Sequence, residues 1–128
     1  MKNILFVCVE NSCRSQIAEA FGKIHGKGII NVSSSGSKAS GIVNPKAIAA
    51  MQRVNYDLSS HQSKSLDKIP DIHYEYAITM GCGDECPQIK AKYREDWAIP
   101  DPKHMDNQGF DEVRKMIEQK VLDLIKIL

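Results

Sequence analysis

Two kinds of segment alternate along the chain when its positions are read as apolar or polar. Short β-prone runs cover residues 4–9, 29–35 and 75–80, and a fourth, shorter run covers 97–99. The run at 4–9 is apolar throughout, which is typical of a strand buried on both faces of a parallel sheet. We therefore expect residues 4–9 to form the central strand.

Apolar residues recur at helical spacing in three other segments. The first follows the strand at 4–9 and ends near two stop signals, Gly26 and Gly28. The second begins at Asn44, a favourable N-cap, and continues with proline, which suits the first helical position. The third runs from about residue 108 to the end of the chain. Strands that alternate with amphipathic helices predict an α/β fold.

Composition and charge limit the possible functions. The 128 residues suit one compact domain, so residues 1–128 are predicted to form a single domain. The formal net charge of +1 gives no sign of a polyanion-binding surface. No apolar run approaches the roughly 18 residues that a membrane span needs, and no signal peptide is recognisable. We predict a cytoplasmic protein whose partners include neither nucleic acid nor a membrane.

Four cysteines in a reducing compartment indicate catalysis, redox chemistry or metal binding before they indicate structural disulfides. Cys8 lies near the end of the first predicted strand, and Arg14 follows after five intervening residues, where the first helix begins. Open α/β sheets bind their ligands at this edge. Loop N–H groups, a helix N-terminus and a guanidinium together suit a tetrahedral oxyanion. Because the same groups stabilise a thiolate, Cys8 is the predicted nucleophile.

The loop between Cys8 and the helix is the predicted substrate-binding segment, made of Val9, Glu10, Asn11, Ser12, Cys13 and Arg14. Ser15 is placed to donate to the thiolate, and Asn11 tolerates left-handed backbone and can hydrogen-bond across the turn. Taken singly, Cys8 reads as a small buried residue and Arg14 as a solvated one. The joint C-x5-R-S pattern at a strand–helix junction favours the catalytic interpretation.

Four stretches, "NSCRSQIAEA" (11–20), "GIVNPKAIAAM" (41–51), "SSHQS" (59–63) and "DP" (101–102), resemble one superfamily over most of the chain. It contains the low-molecular-weight protein tyrosine phosphatases and the thioredoxin-coupled arsenate reductases, which share a C-x5-R-[ST] loop. The reductases are the closer match, because the phosphatases usually carry proline where Gln16 stands. The resemblance implies a flavodoxin-like domain with a four-stranded parallel sheet and helices on both faces. It also implies an enzyme that reduces arsenate, with phosphate or sulfate as competing oxyanions.

The resemblance implies two further catalytic thiols, Cys82 and Cys86, in the loop "MGCGDECP" (80–87). In this relay Cys8 attacks arsenic, Cys82 attacks Cys8, and Cys86 attacks Cys82, which leaves a disulfide for thioredoxin or a similar dithiol carrier. Two other interpretations of the pair stay open. The thiols are inert, or they bind zinc together with Cys8 and Cys13, although C-x3-C is a poor match to zinc spacing.

By the same resemblance Asp101 is the general acid, which protonates the oxygen that leaves the central atom. An Asp-Pro dipeptide alone is more often an ordinary turn. Lys103 and His104 follow where the phosphatases typically carry an aromatic residue, and this departure weakens the phosphatase interpretation. Cys13 is expected to be a packing residue outside the relay.

Some family members hold a potassium ion near the loop. Asn11, Glu19 and Ser34 occupy three of its ligand positions, and Lys64 stands at the fourth, where its ammonium group is able to replace the cation. We predict no metal, no cofactor and a monomeric protein. Two alternatives to the reductase stay open: a tyrosine phosphatase with the same nucleophile, and a non-catalytic module that binds oxyanions or senses redox state.

Overall fold

The computed structural model describes residues 1–81 and 89–128. Its sheet has four parallel strands, β1 (Lys2–Cys8), β2 (Ile30–Gly36), β3 (Tyr76–Thr79) and β4 (Tyr93–Asp96), in the order β2-β1-β3-β4. This order is the flavodoxin-like one, so the predicted fold class is confirmed. β1 pairs with strands on both sides, as its apolar sequence predicted.

In the described part of the chain, α1 (Arg14–His25), α2 (Pro45–Gln52) and α3 (Asn107–Lys126) all lie on one face of the sheet. Helices were expected on both faces, and these three α-helices share one. Their buried side chains share a core with Ile4, Phe6 and Cys8. Leu5 and Val7 point to the other face, where they pack near a 3-10 helix, Leu66–Lys68. The alternation follows from the two-residue period of a strand. None of the helices in residues 1–81 and 89–128 is long and apolar enough to cross a membrane.

The fourth strand lies earlier in the chain than the sequence predicted. We expected it at 97–99, but the structure places it at Tyr93–Asp96, whose four side chains are all exposed. An edge strand of this kind carries little of the apolar pattern by which buried strands are recognised. Trp97 and Ile99 are buried instead, and the Trp97 ring lies 5.6 Å from that of Phe6. Their apolar character reflects core packing beyond the strand end.

The connections between the strands place the loop after β1 where the strand order of the sheet reverses. The chain leaves β1 to one side, through α1 into β2, and later crosses to the other side into β3. Ligands of open α/β sheets bind where the strand order reverses in this way, beyond the carboxyl ends of the strands. Cys8 is the last residue of β1, so the fold positions its thiol at this point.

Candidate oxyanion and thiol site

A pocket of about 230 Å³ opens at the carboxyl end of β1. Among residues 1–81 and 89–128, two segments line it, the loop that leads into α1 and the turn that contains Asp101. The lining residues are Cys8, Val9, Glu10, Ser12, Cys13, Arg14 and Asp101. The structure thus brings together most of the described residues that the sequence assigned to catalysis or binding. Asn11 and Ser15 are fully buried and do not line the pocket.

Asn11 holds the loop in shape from behind. Its φ of 51° is left-handed, a conformation that asparagine tolerates better than most residues. The Lys64 backbone N–H donates to Asn11 Oδ1 at 2.9 Å, which fixes the orientation of the side-chain amide. The amide nitrogen therefore faces two hydroxyl oxygens and donates to Ser15 at 2.8 Å and to Ser34 at 3.0 Å.

Ser15 is positioned to hydrogen-bond to the nucleophile. Its Oγ lies 2.9 Å from the Cys8 Sγ, and both side chains are buried. The Ser15 oxygen accepts from the Asn11 amide, and its proton can be donated to the sulfur; once Cys8 is a thiolate, which carries no proton, Ser15 has to be the donor of this pair. A hydrogen bond to the charged form of a group favours that form, so this contact stabilises a thiolate at Cys8.

Arg14 is anchored on one side and turned toward the pocket on the other. Its Nη1 donates to the Met80 carbonyl at 2.5 Å and to the Ile99 carbonyl at 2.9 Å. Its Nη2 lies 3.9 Å from Asp101 Oδ2, in the pocket wall. The side chain is only 9% exposed, so little water competes with an anion for the guanidinium.

Asp101 sits opposite Arg14 in a tight turn. Its Oδ1 accepts from the Lys103 backbone N–H at 3.1 Å, and its Oδ2 faces the guanidinium. The side chain is 51% exposed. This placement gives a carboxyl group at the rim of the pocket, where an acid that protonates a leaving oxygen has to lie.

Cys13 is buried beside the pocket but is not prepared for reaction. Burial raises the pKa of its thiol to about 11, so it is neutral at physiological pH. Thiolates, not thiols, are the attacking species. The expectation that Cys13 is a packing residue fits this environment.

Gln16 is buried and holds the loop in place through several hydrogen bonds. In the sequence analysis it served only to distinguish the reductases from the phosphatases. Its Nε2 donates to the Asn11 side chain at 2.9 Å and to the Gln62 carbonyl at 2.9 Å. Its Oε1 faces the His61 Nδ1 at 3.0 Å, and the Tyr56 hydroxyl lies 2.6 Å from the His61 Nε2. The position of Gln16 in the first turn of a buried helix, where a polar side chain needs hydrogen-bond partners, could have predicted this structural role.

Glu19 lies behind the loop, among the residues considered for a cation. Ser34 donates to its Oε1 at 2.5 Å, Lys64 Nζ lies 3.5 Å from the same atom, and Lys23 Nζ lies 2.9 Å from Oε2. Burial acts to raise the pKa of Glu19, but the contacts with Lys23 and Ser34 lower it below its usual value. The Lys64 ammonium thus supplies positive charge at Glu19. The absence of a bound metal stays a prediction.

Cys82 and Cys86 lie outside the described residues. The described chain stops at Gly81, one residue before Cys82 in the sequence. Gly81 has a φ of +80°, and a Cβ atom there would lie 3.2 Å from Arg14 Nη1 and 3.0 Å from the Ile99 oxygen. The chain therefore passes directly beside the pocket arginine, where glycine meets both the backbone angle and the close approach.

Comparisons with known proteins match the whole chain. Residues 3–128 match the family described as low molecular weight phosphotyrosine protein phosphatase. A glutaredoxin arsenate reductase from Synechocystis is 38% identical, over 98% of this chain and 97% of that protein. An arsenate reductase from Staphylococcus aureus strain N315 is 40% identical, over 91% of each. A solved arsenate reductase in its phosphate binding state has a TM-score of 0.89 at 38% identity, over 98% of each chain.

Proposed function

We propose that this chain, which belongs to the low molecular weight phosphotyrosine protein phosphatase family, is an arsenate reductase that works through a relay of three cysteines. The contact that carries the proposal is the one between Cys8 and Ser15, 2.9 Å apart beside the anion pocket. It provides a buried nucleophile next to Arg14, so a bound tetrahedral anion meets both charge stabilisation and an attacking sulfur.

In the first step, arsenate binds between the loop N–H groups and the Arg14 guanidinium. The Cys8 thiolate attacks arsenic, and Asp101 donates a proton to the oxygen that leaves as water. The products are a Cys8–arsenic(V) adduct, one water molecule and the Asp101 carboxylate. Arg14 compensates the negative charge that develops on the remaining oxygens.

In the second step, the thiolate of Cys82 attacks the Cys8 sulfur. The sulfur–arsenic bond breaks, its electron pair stays on arsenic, and arsenite leaves with arsenic in the +3 state. Two thiols are oxidised to a Cys8–Cys82 disulfide as arsenic is reduced by two electrons. Cys86 then attacks Cys82, which regenerates the Cys8 thiolate and forms a Cys82–Cys86 disulfide.

The position of Gly81 supports the participation of the next residue in the sequence. Met80 donates its backbone N–H to the Val7 carbonyl at 2.9 Å, so β3 ends beside the residue that precedes Cys8. Gly81 follows, against Arg14. Cys82 is the next residue of the sequence, and this adjacency supports its assignment as the second thiol.

A dithiol carrier then returns the protein to its reduced state. The sequence resemblance favours thioredoxin, whereas one relative is named a glutaredoxin arsenate reductase. We propose thioredoxin as the first carrier to test and glutaredoxin with glutathione as the second. The protein is proposed to be monomeric and cytoplasmic, with phosphate and sulfate as competitors for the pocket.

Phosphatase chemistry is the second candidate, because Cys8, Arg14 and Asp101 are also sufficient to hydrolyse a phosphate monoester. The experiment measures arsenite formation with each carrier system, and hydrolysis of p-nitrophenyl phosphate beside it. We expect multiple turnovers of arsenate, and we expect Cys82→Ser to abolish them while it spares ester hydrolysis. Ester hydrolysis without arsenite formation would identify a phosphatase. Anion binding with neither activity would identify a sensing or binding module.

A further inference from the structure

Besides the Arg14–Asp101 contact, a second ion pair joins the two described segments that line the pocket. Lys103 Nζ lies 3.1 Å from Glu10 Oε2. Glu10 belongs to the loop that leads into α1, and Lys103 follows the turn that contains Asp101. The two side chains are 43% and 38% exposed, so the contact lies at the solvent side of the pocket.

Glu10 is an unusual residue for a loop that accepts a dianion. Glu10 is one of the residues that line the pocket, so its negative charge lies close enough to disfavour an oxyanion bound there. Lys103 compensates that charge at a distance of one hydrogen bond. The hydrogen bond to the Glu10 carboxylate, together with its charge, raises the pKa of Lys103 above its usual value, as expected when an ammonium group gains an anionic partner.

The pair also ties together the two described segments that line the pocket. The Lys103 backbone N–H binds Asp101 Oδ1, while its side chain binds Glu10, so one residue ties the turn to the loop. An inorganic oxyanion fits entirely inside the pocket. A phosphate monoester carries an organic group that has to extend out of the pocket.

We propose that the Glu10–Lys103 ion pair determines substrate choice, by neutralising the loop carboxylate and by closing the opening to monoesters while small inorganic oxyanions enter. The inference rests on the proposed arsenate chemistry, and it assigns to this pair a selectivity that neither residue has alone. Lys103 acts here as a specificity residue, since its charged group contacts Glu10.

The test compares Lys103→Met with the double variant Glu10→Gln, Lys103→Met. In Lys103→Met the carboxylate is left uncompensated, so the KM for arsenate should rise severalfold, up to about tenfold, with kcat changed less than about twofold. The double variant removes the carboxylate as well, so its KM for arsenate should return toward that of the parent protein. Lys115→Met is the matched control, because Lys115 pairs with Glu112 on α3 at 3.7 Å.

Hydrolysis of p-nitrophenyl phosphate distinguishes the steric effect of the ion pair on monoesters from its effect on the charge of the pocket. Both Lys103 variants lack the tie, so both should raise the ratio of kcat/KM for the ester to that for arsenate, by about tenfold or less. Unchanged ratios, or a double variant whose KM for arsenate stays as high as that of Lys103→Met, would overturn the inference. Parent protein that forms no arsenite would instead refute the proposed function. In that case isothermal titration with inorganic phosphate still tests the charge compensation.

Discussion

The Cys8 sulfur and the Ser15 oxygen lie 2.9 Å apart, and the serine hydroxyl is held in that contact by the Asn11 amide. The Lys64 N–H sets the orientation of the Asn11 amide, and the amide donates to the Ser15 oxygen. When Cys8 is a thiolate, the Ser15 hydroxyl is the donor to its sulfur. Reactivity at Cys8 therefore depends on a backbone group 56 positions away along the chain, counted from residue 8 to residue 64.

Ser15→Ala should slow the reaction of Cys8. A hydrogen bond to a charged group is worth about 1.5–3 kcal/mol, which corresponds to roughly a tenfold to hundredfold loss of reactivity at neutral pH. The measurement is the rate of iodoacetamide alkylation of Cys8, followed by peptide mass spectrometry. In urea, where the fold is lost, parent and variant should react equally fast. Equal rates in the folded proteins would show that the hydroxyl does not stabilise the thiolate.

Cys13 should resist alkylation until the solution is strongly alkaline. With a pKa of about 11, its thiol is protonated below that pH and becomes a thiolate only as the pH passes it. At pH 8 we expect the label at Cys8 and almost none at Cys13 in the folded protein. Labelling at Cys13 should rise as the pH approaches 11. Prompt labelling of Cys13 at pH 8 would contradict its assignment as a packing residue.

Arg14→Lys should weaken oxyanion binding by tenfold or more, even though the charge is kept. Lysine offers no planar fork, so it is unable to hold the Met80 and Ile99 carbonyls and an anion at the same time. Isothermal titration with phosphate gives the loss, and far-ultraviolet circular dichroism checks the fold. As a control, Arg53→Lys changes an arginine that pairs with Asp111 away from the pocket. Affinity within twofold of the parent would mean that the fork is not used.

Cys86→Ser should stop the relay after a single turnover. Without the resolving thiol, the Cys8–Cys82 disulfide persists, so one equivalent of arsenite is released per protein chain. Mass spectrometry of non-reduced peptides identifies the linkage, and a strong small-molecule thiol should restore turnover. A Cys8–Cys13 bridge, or continued turnover with the carrier alone, would mean that the relay uses other sulfurs.

The loop from Cys8 to Arg14 was predictable because its function depends on residue types at fixed spacing after a buried strand. Asp101 was predictable only through a family resemblance, since Asp-Pro by itself has no catalytic signature. The carbonyls of Met80 and Ile99 were not predictable at all. Every residue carries a backbone carbonyl, so no side chain in the sequence marks the ones that anchor a guanidinium.

The position of the fourth strand was also not predictable from the sequence pattern. Its exposed residues at 93–96 have no apolar pattern. The strand was therefore predicted a few positions later in the chain, at the apolar Trp97 and Ile99, which are buried. The Glu10–Lys103 pair was not predictable either, because the two residues are 93 positions apart and the C-x5-R-S motif leaves the residue type at Glu10 unspecified. Contacts of this kind follow from the topology of the assembled sheet.

The two carbonyl contacts of Arg14 also bear on how the protein acquires its activity. They reach 66 and 85 residues along the chain, so the guanidinium is not held in place until nearly all of the polypeptide has been synthesised and folded. Contacts of such long sequence separation form late and slowly. A ribosome-bound chain that ends before residue 99 already contains Cys8 but has no complete anion pocket. Protection of this thiol by bound phosphate would therefore report completion of the fold, and would distinguish mature protein from nascent or misfolded chains.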